Sequence, residues 1–245
     1  MHPRFDVQGH RGARGLRPEK TLPGFELAFD LGVTSIETDV HLTKDHVPVL
    51  IHDPALPDGR PVAQLSVAEL PVALQIPTLS DLFTLAKQKA AAVRLDLELK
   101  RVPFLPETIG DDYDGTAAGI LERKVLEAID VFDMRSSVSV RSFDHRCVRF
   151  MKQLCPGLRT AVLVAYTAPV RPLELLEAAG ADVYCPEYHF VDAAIVRQVH
   201  DAGKTVLPWT VNDTRDWERL IAWGVDGITT DYPDRLLAWL SGRAR

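Results

Sequence analysis

The alternation of short apolar runs with longer amphipathic stretches constrains the fold of this chain more than any other sequence feature. Nine runs have the length and apolar content expected of strands, and segments with helical periodicity separate most of them. The predicted strands span residues 5–9, 35–42, 47–52, 93–100, 137–143, 159–164, 182–186, 205–211 and 227–230. Strands that alternate with helices usually pair in parallel through right-handed crossovers. The pattern therefore predicts an α/β fold, most simply a TIM (β/α)8 barrel, with an open doubly wound sheet as the alternative.

One junction departs from this alternation. Only residues 43–46 separate the second and third predicted strands, which leaves too little chain for a crossover helix. The two strands are therefore predicted to form an antiparallel β-hairpin, and nine strands then remain compatible with an eight-stranded barrel. If Thr43 faces Val47, His52 lies near Thr38 and therefore beside Glu37 and Asp39, the two acidic residues of the preceding strand.

Length and composition fit one folded unit. The chain has 245 residues, and no linker, repeat or low-complexity tract divides it. We therefore predict a single domain over residues 1–245, with a short, compact loop insertion at about residues 54–78. The net charge of −6 argues against nucleic-acid binding, which requires a strongly basic face.

The lack of a recognisable secretory signal and the pattern of cysteines favour a reducing compartment. The first residues lack the pattern of a secretory signal, and no run approaches the length of about 20 apolar residues that a membrane span needs. Cys147, Cys155 and Cys185 have no metal-binding spacing, and an odd number of thiols cannot pair completely. We expect buried, reduced thiols in a cytoplasmic protein without an integral membrane segment, whose oligomeric state stays open.

Acidic residues occur inside two of the predicted strands. Residues two apart on a strand share a face, so Glu37 and Asp39 point the same way. Asp96, Glu98 and Lys100 share a face of another strand in the same manner. Convergence of Glu37, Asp39 and Glu98 at the C-terminal mouth of neighbouring strands would suit Mg²⁺ or Ca²⁺ better than zinc. An ion-paired polar layer inside the barrel is the alternative, because buried charges need partners.

Basic and imidazole side chains follow the same strands. His10 and Arg11 end the first predicted strand, and the active face of a barrel lies at these strand ends. Arg11 and Lys100 could pair with phosphate oxygens, and His10 and His52 could exchange protons near neutrality. Together with a divalent cation, this set favours metal-assisted phosphodiester cleavage. His41 shares the face of the acidic pair and is a candidate to support it.

Seven segments, in order and over nearly the whole chain, resemble the glycerophosphodiester phosphodiesterase family. They are GHRGARGLRPEKTLPGFELAFDLG, IETDVHLTKDHVPVLIHD, IPTLSDLF, LDLELK, VRSFD, LPWTVND and GVDGITTDYPD. The resemblance implies a TIM barrel of the phospholipase C-like phosphodiesterase superfamily with a divalent metal, commonly Ca²⁺ or Mg²⁺. The family's metal-binding carboxylates correspond to Glu37, Asp39 and Glu98, and its acid–base histidines correspond to His10 and His52.

Five further positions are interpreted through the resemblance. Arg11 matches the phosphate-contacting arginine of the HRG motif, and Lys100 matches the lysine of the family's E-x-K strand. Trp209 matches an aromatic residue that flanks the substrate, with barrel packing as the alternative. Glu19 matches the glutamate of the PENT motif near the metal, whereas Lys20 stands where that motif has asparagine.

The reaction implied by the resemblance begins with attack of the substrate's glycerol 2-hydroxyl on phosphorus. One histidine accepts the hydroxyl proton, the other protonates the leaving alcohol, and water then opens the cyclic phosphate. The expected products are sn-glycerol 3-phosphate and an alcohol such as choline or ethanolamine, so the expected partner is a small-molecule glycerophosphodiester. The loop after Asp53 lacks the Arg-Thr-Thr segment common in the family, which leaves the substrate open. A phosphodiesterase acting on lysophospholipids and a non-catalytic phosphodiester-binding barrel are the alternatives.

Overall fold

The alternation seen in the sequence is present in the computed structural model, which describes residues 5–89, 92–101 and 110–243. The strands are β1 (Asp6–Gly9), β2 (Ser35–Leu42), β3 (Pro48–Leu50), β4 (Arg94–Leu99), β5 (Val138–Ser142), β6 (Arg159–Val164), β7 (Val183–Pro186), β8 (Thr205–Val206) and β9 (Gly227–Thr230). The helices are α1 (Leu22–Leu31), α2 (Leu79–Lys89), α3 (Ile120–Val131), α4 (His145–Leu154), α5 (Pro172–Ala179), α6 (Ala193–Asp201), α7 (Thr214–Trp223) and α8 (Pro233–Arg243). The ends of the predicted domain, residues 1–4 and 244–245, lie outside the described residues.

Local sequence signals explain where helices begin and end. The Thr21 hydroxyl accepts a hydrogen bond from the Gly24 backbone N–H at 3.2 Å and so caps the start of α1. Gly32, in the left-handed region at φ 76°, ends the same helix. Asp213 caps α7 in the same way as Thr21 caps α1, since its side chain accepts from the Arg215 N–H.

The strands form one parallel sheet in the order β8-β7-β6-β5-β4-β2-β1-β9, with β3 paired antiparallel to β2. Backbone hydrogen bonds also join the two edge strands. The Asp226 N–H donates to Val206 O at 3.0 Å, and the Val211 N–H donates to Thr229 O at 2.9 Å. The sheet is therefore a nearly closed barrel, which confirms the predicted TIM (β/α)8 fold and excludes the open doubly wound sheet.

The eighth strand is shorter than predicted. Regular pairing covers only Thr205–Val206 instead of residues 205–211. Pro208 has no N–H to donate to a ladder, so regular strand pairing stops before it. Leu207 and Trp209 still donate single backbone hydrogen bonds to β7, which keeps the segment against the barrel wall.

The hairpin has the predicted register. Val40 pairs with Leu50, and His41 pairs with Val49. The Thr43 N–H donates to Val47 O at 3.1 Å, as expected for a turn closed by this pair. The chain after β3 therefore returns toward the middle of β2.

The insertion after the hairpin is compact. It contains three 3-10 turns, at Val62–Gln64, Val67–Glu69 and Val72–Leu74. A small cluster of buried apolar side chains holds it together, formed by Val49, Leu56, Val62 and Leu65. The insertion is thus packed against the hairpin and lies beside the C-terminal end of the barrel.

The barrel interior contains a buried polar layer. Gln8 Nε2 donates to Ser35 Oγ and to Asp96 Oδ2, both at 3.0 Å. Arg141 donates to Gln8 Oε1 at 2.8 Å, and the Thr229 hydroxyl donates to the same oxygen at 2.7 Å. The Arg141 guanidinium also lies 3.4 Å from Asp96 Oδ2. The layer suggested as an alternative to a metal site therefore exists, but it is built around Asp96 and Gln8.

Cys147, Cys155 and Cys185, all within the described ranges, are free and buried, as predicted. Burial raises the pKa of the Cys185 thiol to about 12 and that of Cys147 well above its ordinary value. Among the described residues, no helix combines the length and the apolar character required to cross a membrane.

Candidate active site

The site residues predicted from sequence meet at the C-terminal end of the barrel. They come from β2 and β4 and from the chain just beyond β1, β3, β4 and β8. Eight of them line one cavity of about 470 Å³, namely His10, Arg11, Glu37, Asp39, His52, Glu98, Lys100 and Trp209. Glu19, Lys20 and His41 are not among its lining residues. The fold thus brings segments that are far apart in sequence to a single pocket.

Three carboxylates form the acidic part of this pocket. One oxygen from each of Glu37, Asp39 and Glu98 lies within 4.8 Å of the others, and all three residues are buried. Asp39 and Glu98 are direct partners in the β2–β4 register, which explains their proximity. Asp39 Oδ2 is buried and has no hydrogen-bond partner within the described part of the chain. An all-oxygen set with a free acceptor fits a hard divalent cation such as Mg²⁺ or Ca²⁺.

Cationic side chains surround Asp39. Lys100 Nζ lies 3.2 Å from Asp39 Oδ1, whereas Lys20 Nζ and Arg11 Nε lie 3.3 Å and 3.5 Å from Asp39 Oδ2. Burial alone would raise the pKa of Asp39, but Lys100 first, then Lys20 and Arg11, outweigh it and hold this pKa well below its usual range. Asp39 is therefore a carboxylate at neutral pH.

Glu98 has a different environment. Burial raises its pKa to about 7, although the Lys100 ammonium, 2.7 Å from Glu98 Oε1, favours the ionised form. Burial lowers the pKa of Lys100, but Glu98 and then Asp39 outweigh that effect and raise it. Lys100 thus stays protonated between two carboxylates.

His10 is anchored by an aspartate that the sequence reasoning missed. His10 Nδ1 lies 2.5 Å from Asp231 Oδ1, and its Nε2 lies 3.8 Å from Glu37 Oε2. Burial lowers the pKa of His10, although the hydrogen bond to Asp231 opposes this. With the neutral ring donating Nδ1–H to Asp231, Nε2 is free to accept a proton.

Asn212 holds that aspartate in place. Its Nδ2 donates to Asp231 Oδ2 at 2.8 Å, and its Oδ1 accepts from the Asp231 N–H at 2.9 Å. Asp231 directly follows β9, which pairs with β1. The available sequence signal was an acidic residue at a strand end beside the strand that carries His10.

His52 lines the same cavity and is more exposed than His10. Its Nδ1 is 2.7 Å from Asp53 Oδ1. Burial, and then the charge of Lys100, lower the pKa of His52. Buried His41, whose pKa burial lowers to about 4, has its Nε2 3.1 Å from the His52 carbonyl oxygen. As a neutral donor, His41 supports the site through the backbone of His52.

Arg11 points into the cavity but already has an acidic partner. Its terminal NH1 donates to both carboxylate oxygens of Glu19, at 3.0 and 3.1 Å. Its backbone N–H donates to Glu37 Oε2 at 3.0 Å. Glu19 therefore lies outside the acidic trio and positions Arg11, while Lys20 bridges Glu19 and Asp39.

Aromatic side chains form the far rim of the cavity. Trp209 Nε1 donates to the Cys185 carbonyl at 2.9 Å, and its ring packs edge-on against Phe143 with centroids 5.6 Å apart. Tyr166 also lines the cavity and is 89% exposed. Trp209 thus lines the cavity and also packs against a buried apolar cluster, and its role beside the substrate stays a prediction. Phe143 and Tyr166 are rim residues that the sequence reasoning missed.

A second cavity, of about 440 Å³, lies between the hairpin and the insertion. Its apolar lining consists of Leu50, Ile51, Ala55, Leu56, Pro57, Leu74 and Ile76. Glu19, Lys20, His52 and Asp53 form the polar part of the lining. His52 therefore contributes to both cavities.

Comparisons with known proteins agree on one family. The family described as "Glycerophosphoryl diester phosphodiesterase family" matches residues 10–235. A glycerophosphodiester phosphodiesterase of Caldanaerobacter subterraneus subsp. tengcongensis is 31% identical over 94% of this chain and 96% of its own length.

Two solved structures extend the likeness to the fold. A putative glycerophosphoryl diester phosphodiesterase from Silicibacter pomeroyi superposes with a TM-score of 0.83 at 30% identity, covering 96% of this chain and 92% of that one. A phosphodiesterase from Oleispira antarctica, in complex with the product sn-glycerol-3-phosphate, gives a TM-score of 0.82 at 27% identity and covers 96% of each chain.

Proposed function

The chain belongs to the glycerophosphoryl diester phosphodiesterase family, and from this premise we propose that the enzyme hydrolyses glycerophosphodiesters to sn-glycerol 3-phosphate and an alcohol in a metal-dependent reaction. The observation that carries the proposal is the cavity in which two histidines face three clustered carboxylates. The product named for the Oleispira antarctica structure supports the same product here.

Charge neutralisation is the first requirement of this reaction. Glu37, Asp39 and Glu98 would hold the divalent cation, which when bound would offset negative charge developing on the phosphoryl oxygens. Lys100 and Arg11 line the same cavity and would supply further counter-charge to an anionic phosphodiester. The Asp39 pKa, held low by its cationic neighbours, keeps this ligand ionised over the whole physiological range.

Proton transfer is the second requirement. Neutral His10, fixed by Asp231, would accept the proton of the glycerol 2-hydroxyl at Nε2 as that oxygen bonds to phosphorus. The bond from phosphorus to the alcohol oxygen breaks, and His52 would give its proton to that oxygen. An anionic substrate beside His52 favours the protonated ring required for this step. In the second step His52 would take a proton from water as the water oxygen bonds to phosphorus. The bond from phosphorus to the glycerol 2-oxygen breaks, and His10 would return its proton to that oxygen.

Glycerol 3-phosphate release from glycerophosphocholine tests the proposal. Activity should need Mg²⁺ or Ca²⁺ and disappear with chelator, and His10→Ala and His52→Ala should each lower kcat by about 10²- to 10⁴-fold. His200→Ala, on α6 and exposed, is the matched control and should keep full activity. Activity that survives chelator would contradict the metal role, and full activity of either cavity variant would contradict the acid–base roles.

The second cavity favours a second candidate substrate class, the lysophospholipids. If His52 protonates the leaving oxygen, the apolar cavity beside it would accept the chain of an apolar alcohol. Leu74→Glu and Ile76→Glu would place a charge in this wall. The ratio of kcat/KM for lysophosphatidylcholine to that for glycerophosphocholine should then fall, and an unchanged ratio would dismiss this candidate.

A further inference from the structure

Lys20 is a buried cation directly beside a carboxylate of the acidic cluster. Its side chain is only 5% exposed. Its Nζ lies 3.3 Å from Asp39 Oδ2 and 3.0 Å from Glu19 Oε1. Asp39 Oδ2 is the oxygen that accepts no hydrogen bond from any described residue, so its only compensation is the charge of its neighbours. Lys20 therefore offsets the charge of a carboxylate that is also a candidate metal ligand.

We propose that Lys20 is an internal counter-ion of the acidic cluster that competes with the divalent cation and lowers its affinity. The proposal rests on the metal site assigned above to Glu37, Asp39 and Glu98. A divalent cation bound to Asp39 would place two further positive charges close to the Lys20 ammonium. Buried like charges at such distances repel strongly, because solvent screens them little.

The other two cations near Asp39 are held more firmly elsewhere. Lys100, just after β4, donates to Glu98 Oε1 at 2.7 Å, and the Arg11 guanidinium is held by both oxygens of Glu19. Outside Asp39, the one acidic partner of Lys20 among the described residues is Glu19, which it contacts through a single oxygen. Of these three cations, Lys20 is therefore the one to replace in order to remove a positive charge beside Asp39 without disturbing the other ion pairs of the strand ends.

The backbone at Lys20 provides a clean substitution. Its φ is 55°, in the left-handed region, where asparagine is accommodated more readily than lysine. Lys20→Asn therefore removes the charge without adding backbone strain. Lys20→Gln removes the charge at nearly constant side-chain length, and Lys20→Arg keeps the charge.

Titration calorimetry with MgCl₂ or CaCl₂ on the purified, chelator-washed full chain tests the proposal. Lys20→Asn and Lys20→Gln should each bind the cation about tenfold or more tightly than the unaltered chain. Lys20→Arg should bind it nearly as the unaltered chain does. Lys44→Gln, which removes an exposed lysine from the hairpin turn, is the control and should leave the Kd unchanged.

An equal or higher Kd in both Lys20→Asn and Lys20→Gln would overturn the proposal, provided that circular dichroism shows intact folding. If either variant unfolds without a cation, the dependence of its Tm on cation concentration supplies the Kd instead. Glu37→Gln should abolish the binding heat, and heat that persists in it would place the cation elsewhere and overturn the proposal. Turnover of glycerophosphocholine is measured separately, so a failed activity assay does not alter this result.

Discussion

At the scale of single residues, the contact between His10 and Asp231 distinguishes the two histidines of the cavity. His10 is buried against a carboxylate that Asn212 in turn fixes, whereas His52 is half-exposed and its partner Asp53 lies on the surface. A fixed imidazole has one preferred tautomer and one free nitrogen, which suits it to begin as the base. A half-exposed imidazole such as His52 suits an acid that serves different leaving groups.

Replacement of the anchoring carboxylate should damage turnover more than binding. We expect Asp231→Asn to lower kcat by about 10- to 100-fold, the size typical of losing a partner that orients a functional histidine. KM should change much less, because Asp231 does not line the cavity. Asp58→Asn, in the exposed part of the insertion, is the matched control. Steady-state kinetics on glycerophosphocholine measure both constants, and an unchanged kcat would contradict the positioning role.

The pH profile should report the lowered pKa of His10. Burial lowers the pKa of His10 from 6.5, so the neutral base is present at neutral pH and is lost only on further acidification. The acidic limb of kcat/KM, measured at saturating Mg²⁺, should therefore lie below pH 6.5. Because Asp231 raises the His10 pKa, Asp231→Asn should move this limb to still lower pH. A limb above the ordinary histidine value would contradict the assignment.

Sequence reasoning found most of these residues because strand periodicity fixes which side chains share a face. It located Glu37, Asp39 and Glu98 through the period of two, and the barrel rule placed His10 at the same end. Asp231 was missed because its partner is 221 positions away, and only closure of the barrel brings β9 beside β1. Contacts set by closure are not encoded in any local pattern.

At the scale of elements, one face of β4 contributes side chains to three different parts of the molecule. Asp96 belongs to the interior polar layer, Glu98 to the acidic cluster, and Lys100, just after the strand, to the cavity wall. The next residue, Arg101, pairs with Asp111 and with Glu122 of α3. The side chains of all three are fully buried. This buried ion cluster ties the end of β4 to α3.

Breaking that cluster should destabilise the fold. Arg101→Met leaves Asp111 and Glu122 as buried carboxylates without their cation, and we expect a loss of about 3–5 kcal/mol in the free energy of unfolding. Arg135→Met, which removes an exposed pair with Asp130, should cost at most about 1 kcal/mol. Urea unfolding followed by circular dichroism compares the two, and equal losses would contradict a structural role for the cluster.

The pairing of β2 with β3 was predicted correctly from the sequence, whereas the length of β8 was not. A four-residue gap at residues 43–46 was sufficient to predict antiparallel pairing and its register, because turn length limits the geometry. The length of β8 could not be obtained in this way. The apolar run at 205–211 continues past Pro208, and the missing N–H of that proline is what marks the earlier end of regular pairing.

At the scale of the whole molecule, Gln8 links opposite sides of the barrel. Its amide bonds to side chains from β2, β4, β5 and β9 across the interior. The alternation of strands and helices predicted the barrel, since it left few ways to bury the sheet on both faces. It could not predict which polar side chains would meet at the centre, because that depends on the stagger of all strands together.

Removal of that central amide should weaken the barrel as a whole. Gln8→Leu removes the hydrogen bonds that Gln8 makes to buried groups of Asp96, Arg141 and Thr229, so we expect a loss of about 1–3 kcal/mol in the free energy of unfolding. Gln64→Leu, at an exposed site, should change it by no more than about 0.5 kcal/mol. Thermal unfolding monitored by circular dichroism makes the comparison, and a Tm for Gln8→Leu equal to that of the control would contradict the role of the layer.

The three buried thiols can serve as natural reporters of local unfolding in this barrel. Cys147 and Cys185 are shielded and also hard to ionise, so alkylating reagents should reach them only when the surrounding structure separates. Pulsed iodoacetamide labelling, followed by mass spectrometry of α4 and β7 peptides, would time the opening of each side of the molecule without any engineered probe.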